Sequence, residues 1–200
     1  MRFLLILIFF LKLSAIEKED FLIDVCVLQT DSGDVIIELF KNDAPKHCEN
    51  FIKLIKNRSY EGLAFHRVIP GFMIQTGDPN TKGEKSKDWG SGNKGEEIES
   101  EISRIHFRGA VAMARTADEV NPEKKSSGSQ FYICVRPQHQ LDGEYTVFGR
   151  VVLGLEVVDK INYTKTDSTD KPIDTIRITK TYIDKLFDEK QYNWALKKRF

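Results

Sequence analysis

Phe65-His66-Arg67-Val68-Ile69-Pro70-Gly71-Phe72-Met73-Ile74-Gln75-Thr76-Gly77-Asp78 is the stretch on which the reading of this 200-residue chain turns. It reads as two short strands across a Pro-Gly turn. Alternation then places Phe65, Arg67 and Ile69 on one face and His66 and Val68 on the other, with Met73 and Gln75 sharing a face beyond the turn. A fixed cation lies near an amide and an apolar wall. The stretch holds no nucleophile, no acid/base pair and no metal cluster.

The same rhythm of short strands extends outward in both directions. Upstream, Val25 to Thr30 and Asp34 to Leu39 flank Asp31-Ser32-Gly33, a hairpin with glycine available for positive φ. Asp43 is expected to cap a helix with Pro45 in its first turn and Cys48, Phe51, Ile52 and Ile55 on one face. Downstream, Pro79 to Ser100 is a polar loop. Its Gly90-Ser91-Gly92-Asn93-Lys94-Gly95 has the spacing of a dinucleotide-binding turn without the buried strand such a turn requires. Strands are expected at Gly109 to Ala114, Ser127 to Val135, Tyr145 to Val152 and Ile173 to Ile183, with a short helix over Leu155, Val158 and Ile161. About eight strands, two helices and no βαβ rhythm predict a closed antiparallel barrel in a mainly β protein.

Composition narrows the partners. Thirty basic and thirty acidic side chains cancel, so the basic excess of a nucleic-acid footprint is missing. A protein or peptide partner fits better. Cys26, Cys48 and Cys134 sit in apolar settings and are expected to be buried thiols. His47, His66, His106 and His139 have no ligand spacing, so neither a metal nor a cofactor is expected.

Residues 1–15 combine a basic start, an uncharged apolar run from Phe3 to Phe10 and small residues before a charged segment, the pattern of a secretory signal peptide. Export is therefore expected, to a bacterial periplasm or cell envelope in preference to a eukaryotic secretory lumen. Asn57-Arg58-Ser59 and Asn162-Tyr163-Thr164 are glycosylation sequons, meaningful only on the eukaryotic route. A globular domain is expected over residues 25–183, with residues 184–200 a C-terminal extension, helical in the simplest reading. The protein is expected to be a monomer.

The segment Phe65 to Gln75, together with Gly128-Ser129-Gln130-Phe131-Tyr132-Ile133, Leu141-Asp142-Gly143 and Val147-Phe148-Gly149, resembles the cyclophilin-type peptidyl-prolyl cis-trans isomerases. These signatures occur in family order across nearly the whole chain after residue 24. The resemblance implies an eight-stranded barrel capped by two helices and an enzyme that rotates X-Pro bonds in flexible or unfolded protein segments. Carried over, Arg67 is similar to the catalytic arginine, with Gln75 orienting it. Phe72, Met73, Tyr132 and Leu141 match walls of the proline pocket, Gln130 matches a polar groove residue, and Ala114 one whose backbone holds the peptide. Arg115, Tyr132, Gln140 and Tyr145 stand where asparagine, phenylalanine, tryptophan and histidine are usual in eukaryotic cytosolic members, so the active site looks closer to bacterial-type members. Tyr132 keeps an aromatic wall but adds a hydroxyl that must find a partner. Gln140 lacks the indole that in the family contacts cyclosporin, which implies weak binding of that inhibitor. A non-catalytic proline-binding or chaperone module is the alternative reading.

Overall fold

The computed structural model describes residues 22–187. The expected signal peptide and the extension from residue 188 onward lie outside them. Contacts group Val25–Asp184 into one compact unit. No helix among the described residues is long and apolar enough to cross a membrane.

The elements run β1 (Leu22–Thr30), β2 (Gly33–Leu39), α1 (Pro45–Lys56), β3 (Arg67–Ile69), β4 (Met73–Thr76), β5 (Ala110–Met113), β6 (Phe131–Cys134), β7 (Val147–Leu153), α2 (Leu155–Asn162) and β8 (Ile178–Phe187). The eight strands form one sheet in the order β3-β4-β6-β5-β7-β2-β1-β8. β1 and β2 pair antiparallel from Val25↔Glu38 to Thr30↔Gly33. β3, β4, β6 and β5 follow with Arg67↔Gln75, Gln75↔Tyr132 and Ala112↔Tyr132 in register.

The expected closed barrel is corrected: the strand ladder is open, with β3 and β8 as its edges. Residues just before β3 meet the start of β8 and the residues preceding it, through an Ala64↔Arg177 bridge and backbone bonds from Gly62 to Ile178 (2.7 Å), Ile178 to Leu63 (2.9 Å) and Phe65 to Ile176 (3.0 Å). Past that point Val68 N–H donates to the Asp170 carbonyl at 2.8 Å, so a loop occupies the edge that β8 would have taken. For the same reason β8 begins at Ile178, five residues after the expected Ile173. It continues as strand to Phe187, into the expected extension.

Two apolar clusters lie on the two faces of the sheet. Leu28, Val35, Ile37, Val68, Ile74, Val111, Phe131, Ile133 and Phe148 join Cys48, Phe51, Leu54 and Ile55 of α1 and Val158 and Ile161 of α2 in the main core. Met73, Ala112, Tyr132, Cys134 and Val147, one residue out of phase, form the second cluster with Phe72, Leu141 and Tyr145 packed against it. This follows from the two-residue side-chain period of a strand. Phe65 departs from the expected alternation: it lies before β3 and packs with the main core beside Val68, not on the face of Arg67. Cys26, Cys48 and Cys134 are buried thiols.

α1 starts at Pro45 after Ala44, with no side-chain cap. The expected Asp43 cap is instead spent on Arg104, whose Nε donates to it at 2.9 Å. The glycine-rich loop is no nucleotide turn either, because Gly90 N–H donates to the Asp78 carboxylate and the Gly90 and Gly92 carbonyls accept from Gln130 at 3.0 and 2.6 Å. The protein's own carboxylate thus sits where a bound phosphate would need amide donors. Gly77 links β4 to this loop at φ +91°, and a Cβ there would lie 2.2 Å from the Ser129 carbonyl, so only glycine fits.

Candidate active site

β3 and β4 set Arg67 directly opposite Gln75 and Ile69 opposite Met73. All four side chains therefore share the face of the second apolar cluster. The hairpin turn between them is clamped from α2: Asn162 Oδ1 accepts Gly71 N–H at 2.8 Å, and its Nδ2 donates to Ile69 O (2.8 Å) and Met73 O (3.3 Å). This amide, 3% exposed, fixes the turn that presents Phe72 and Met73.

A cavity of about 120 Å³ opens on this face. Arg67 and Gln75 give it polar lining, Phe72, Met73, Tyr132 and Leu141 supply apolar walls, and Ala114, Arg115 and Tyr145 complete it. Nine of the eleven candidate residues thus meet in one place. Gln130 lines an adjoining cavity of about 420 Å³ that shares Gln75, Ala114 and Arg115 with the first. Gln140 lines neither: on the tight turn His139–Leu141 it lies at the surface, and its Nε2 donates to Gln138 Oε1 at 2.8 Å.

Arg67 is the loosely held member. Its side chain is 49% exposed and its Nε lies 3.7 Å from Asp170 Oδ2. An exposed pair at that separation stabilises little, so the guanidinium can turn into the cavity. Gln75 is held, its Nε2 donating to Gln130 Oε1 at 2.9 Å. Ala114 has its N–H bonded to Gln130 O (2.9 Å) and its carbonyl accepting from Ser127 (2.7 Å), which leaves a second carbonyl lone pair as its only backbone group for a peptide.

Arg115 is fixed where Arg67 is not. Its side chain, 5% exposed, pairs with Asp118 and Glu144, donates from Nε to Glu144 O at 2.9 Å and lies 4.7 Å over the Tyr145 ring. Glu144 also holds Lys124 at 2.7 Å. Two cations and two carboxylates cancel, so Arg115 braces Tyr145 without giving the cavity a net charge.

Sequence reasoning missed three residues. Asn162 was legible only as a sequon. His106 and Asp142 stand behind Tyr132, with His106 Nε2 3.0 Å from the Tyr132 hydroxyl and Nδ1 3.0 Å from Asp142 Oδ1. The one hint in the sequence was the hydroxyl itself, which had to find a partner. Burial lowers the pKa of His106 from its ordinary value, partly offset by Asp142. Burial likewise lowers that of His66 to about 4. Among the described residues no group of three or more His, Cys, Asp or Glu is placed to hold a metal ion.

The family model for cyclophilin-type peptidyl-prolyl cis-trans isomerases matches residues 25–183. A peptidyl-prolyl cis-trans isomerase of Schizosaccharomyces pombe is 42% identical over 154 residues, covering 76% of this chain and 94% of the relative. One of Dictyostelium discoideum is 44% identical over 154 residues, covering 76% and 93%. Among solved structures, a cyclophilin-type isomerase of Cryptosporidium parvum superposes with a TM-score of 0.72 at 32% identity, covering 80% of this chain and 97% of that one. The same protein was also solved in the presence of the dipeptide Ala-Pro, with the same TM-score and identity, 80% of this chain and 98% of that one being covered.

Proposed function

The chain belongs to the cyclophilin-type peptidyl-prolyl cis-trans isomerase family, and from that premise we propose that it rotates X-Pro bonds of exported proteins at the cavity below Arg67, assisting their folding. The observation that carries this reading is the convergence of one loosely paired arginine with four apolar walls in a single small cavity.

The chemistry needs little else. Amide resonance opposes rotation by about 20 kcal/mol, and a million-fold acceleration corresponds to roughly 8 kcal/mol of transition-state stabilisation. No bond breaks. As the bond twists, resonance is lost and the proline nitrogen regains a lone pair. Arg67, always charged and forked, donates to that nitrogen while Gln75, tethered through Gln130, offers Oε1 to hold the guanidinium. Phe72, Met73, Tyr132 and Leu141 grip the ring, so one side of the bond is fixed while the other turns. The Ala-Pro dipeptide used with the Cryptosporidium protein supports a proline-containing peptide as ligand here.

The position of Gln140 supports weak cyclosporin binding. It is a short amide turned to Gln138, without the apolar area an indole offers. A cyclosporin titration of isomerase activity is expected to need at least tenfold more inhibitor than a Gln140→Trp variant. Equal potency in the two would refute this.

Export rests on residues 1–15, and the active-site departures still suit a bacterial-type envelope protein. The eukaryotic relatives weigh toward a secretory lumen instead. The two sequons then behave differently. Asn57, exposed at the end of α1, is open to a glycan, whereas the Asn162 amide is buried in three hydrogen bonds. Peptide mapping of the protein from its source cell is expected to find a mature N-terminus beyond residue 15, with any glycan on Asn57 alone. Retention of residues 1–15 would overturn export, and a glycan on Asn162 would contradict its buried role.

A further inference from the structure

Behind the cavity wall lies a chain of polar groups that X-Pro rotation does not use. The Tyr132 ring faces the cavity, and its hydroxyl is 3.0 Å from Nε2 of His106. The two rings lie parallel within 7°, centroids 6.1 Å apart. His106 is fully buried. Its Nδ1 lies 3.0 Å from Asp142 Oδ1, and the same oxygen accepts the His106 backbone N–H at 2.6 Å. The second Asp142 oxygen is 3.0 Å from His139 Nδ1.

Proton directions follow from donor and acceptor chemistry alone. Burial works against the Asp142 charge, but hydrogen bonds from the His106 backbone, His139 and the His106 ring bring its pKa down to about 2. An ionised carboxylate only accepts, so Nδ1 of His106 carries the proton and Nε2 presents a lone pair. The Tyr132 hydroxyl must therefore donate to His106. Its proton points out of the cavity.

We propose that His106, oriented by Asp142, is a positioning residue for the proline pocket: by accepting the Tyr132 hydroxyl it holds the tyrosine as an apolar wall, so that this chain binds proline where a free phenol would present a polar group. The inference rests on reading the cavity as the proline site. His106 touches no substrate and acts only through Tyr132. Without its lone pair the hydroxyl is buried and unpaired, and it must turn toward the cavity or draw in water. Either weakens the grip on the ring and leaves Arg67 untouched.

The test is a double-mutant cycle on the full chain, read as KM and kcat with a proline peptide. His106→Leu is expected to raise KM roughly five- to tenfold with kcat within about twofold. In a Tyr132→Phe background, whatever that change does by itself, the same His106→Leu step is expected to alter KM by less than about twofold, because no hydroxyl remains to orphan. His106→Gln, which keeps an acceptor, is expected to recover part of the loss.

A pH profile gives the second readout. Protonated His106 cannot accept, so kcat/KM is expected to fall as pH drops through the pKa of His106, which burial holds below its ordinary value, and the fall is expected to vanish in Tyr132→Phe. The titratable and charged groups around the ring are Asp142 and His139 from the turn, Tyr132 and Cys134 from β6, and Tyr145 edge-on at 6.4 Å with Arg115 behind it. A His139→Gln control separates the exposed histidine and is expected to keep the fall.

Equal KM losses from His106→Leu in both backgrounds, or a pH profile unchanged by Tyr132→Phe, would overturn the proposal. Should His106→Leu not fold, the ring nitrogen shifts of His106 in the unmodified protein decide: the Nδ1-protonated tautomer supports the chain of bonds and the Nε2-protonated tautomer refutes it. Failure of the pocket reading would appear separately, as loss of proline-peptide binding competition at the cavity while the coupling of His106 to Tyr132 persists in melting temperature.

Discussion

Arg67→Ala is expected to lower kcat/KM for a proline peptide about 100- to 1,000-fold, the cost of removing one charged donor to a lone pair that develops only in the transition state. The loss should appear mainly in kcat. The arginine is half exposed and loosely paired with Asp170, so its removal opens no core cavity, and melting temperature should move by no more than a surface change does. Arg67→Lys should rescue little, because a point charge cannot donate through a planar fork. A stable Arg67→Ala protein that turns over substrate at the unmodified rate would remove Arg67 from the mechanism.

The largest expected effect on stability is at Phe51. This α1 residue is fully buried and meets Phe131 edge-on at 5.2 Å, Tyr60 at 5.3 Å and Phe148 at 5.0 Å. It ties the helix to β6 and β7 at once. Phe51→Ala should cost about 3–5 kcal/mol, through lost transfer energy and the cavity left among rings that cannot all close in. That is a large share of the total stability of an ordinary domain. Chemical denaturation would measure it, and a loss below about 1 kcal/mol would show that the aromatic cluster relaxes as a loose core does.

Local pattern made much of this legible. Alternation across Pro70-Gly71 brings Arg67, Met73 and Gln75 to one face, and the structure places them there in register. The apolar spacing of Cys48, Phe51 and Ile55 likewise gives the buried face of α1. What failed was non-local. Whether β3 meets β8 depends on where the loop carrying Asp170 lies, and no period in either strand encodes that. Asp43 had two partners open to it, a helix end and the distant Arg104, and the sequence cannot rank them. Gln140 and Leu141 are neighbours, yet the tight turn sends one into the cavity wall and the other to the surface.

Asn162 and His106 were illegible for a related reason. Each acts on residues far along the chain, Asn162 on the turn at Ile69–Met73 and His106 on Tyr132. Neither belongs to a short motif that points to this role. A buried polar group becomes interpretable once its partners are known, because an unpaired one would destabilise the fold.

The most direct test of the central claim, that this cavity accelerates rotation and does not merely hold proline, is exchange spectroscopy on a peptide containing one Ala-Pro bond at substoichiometric protein. The account predicts cis-trans exchange within seconds or faster with the unmodified protein, and binding with exchange slowed about 100- to 1,000-fold at the same protein concentration with Arg67→Ala. Binding by the unmodified protein with exchange still at the uncatalysed rate would contradict it.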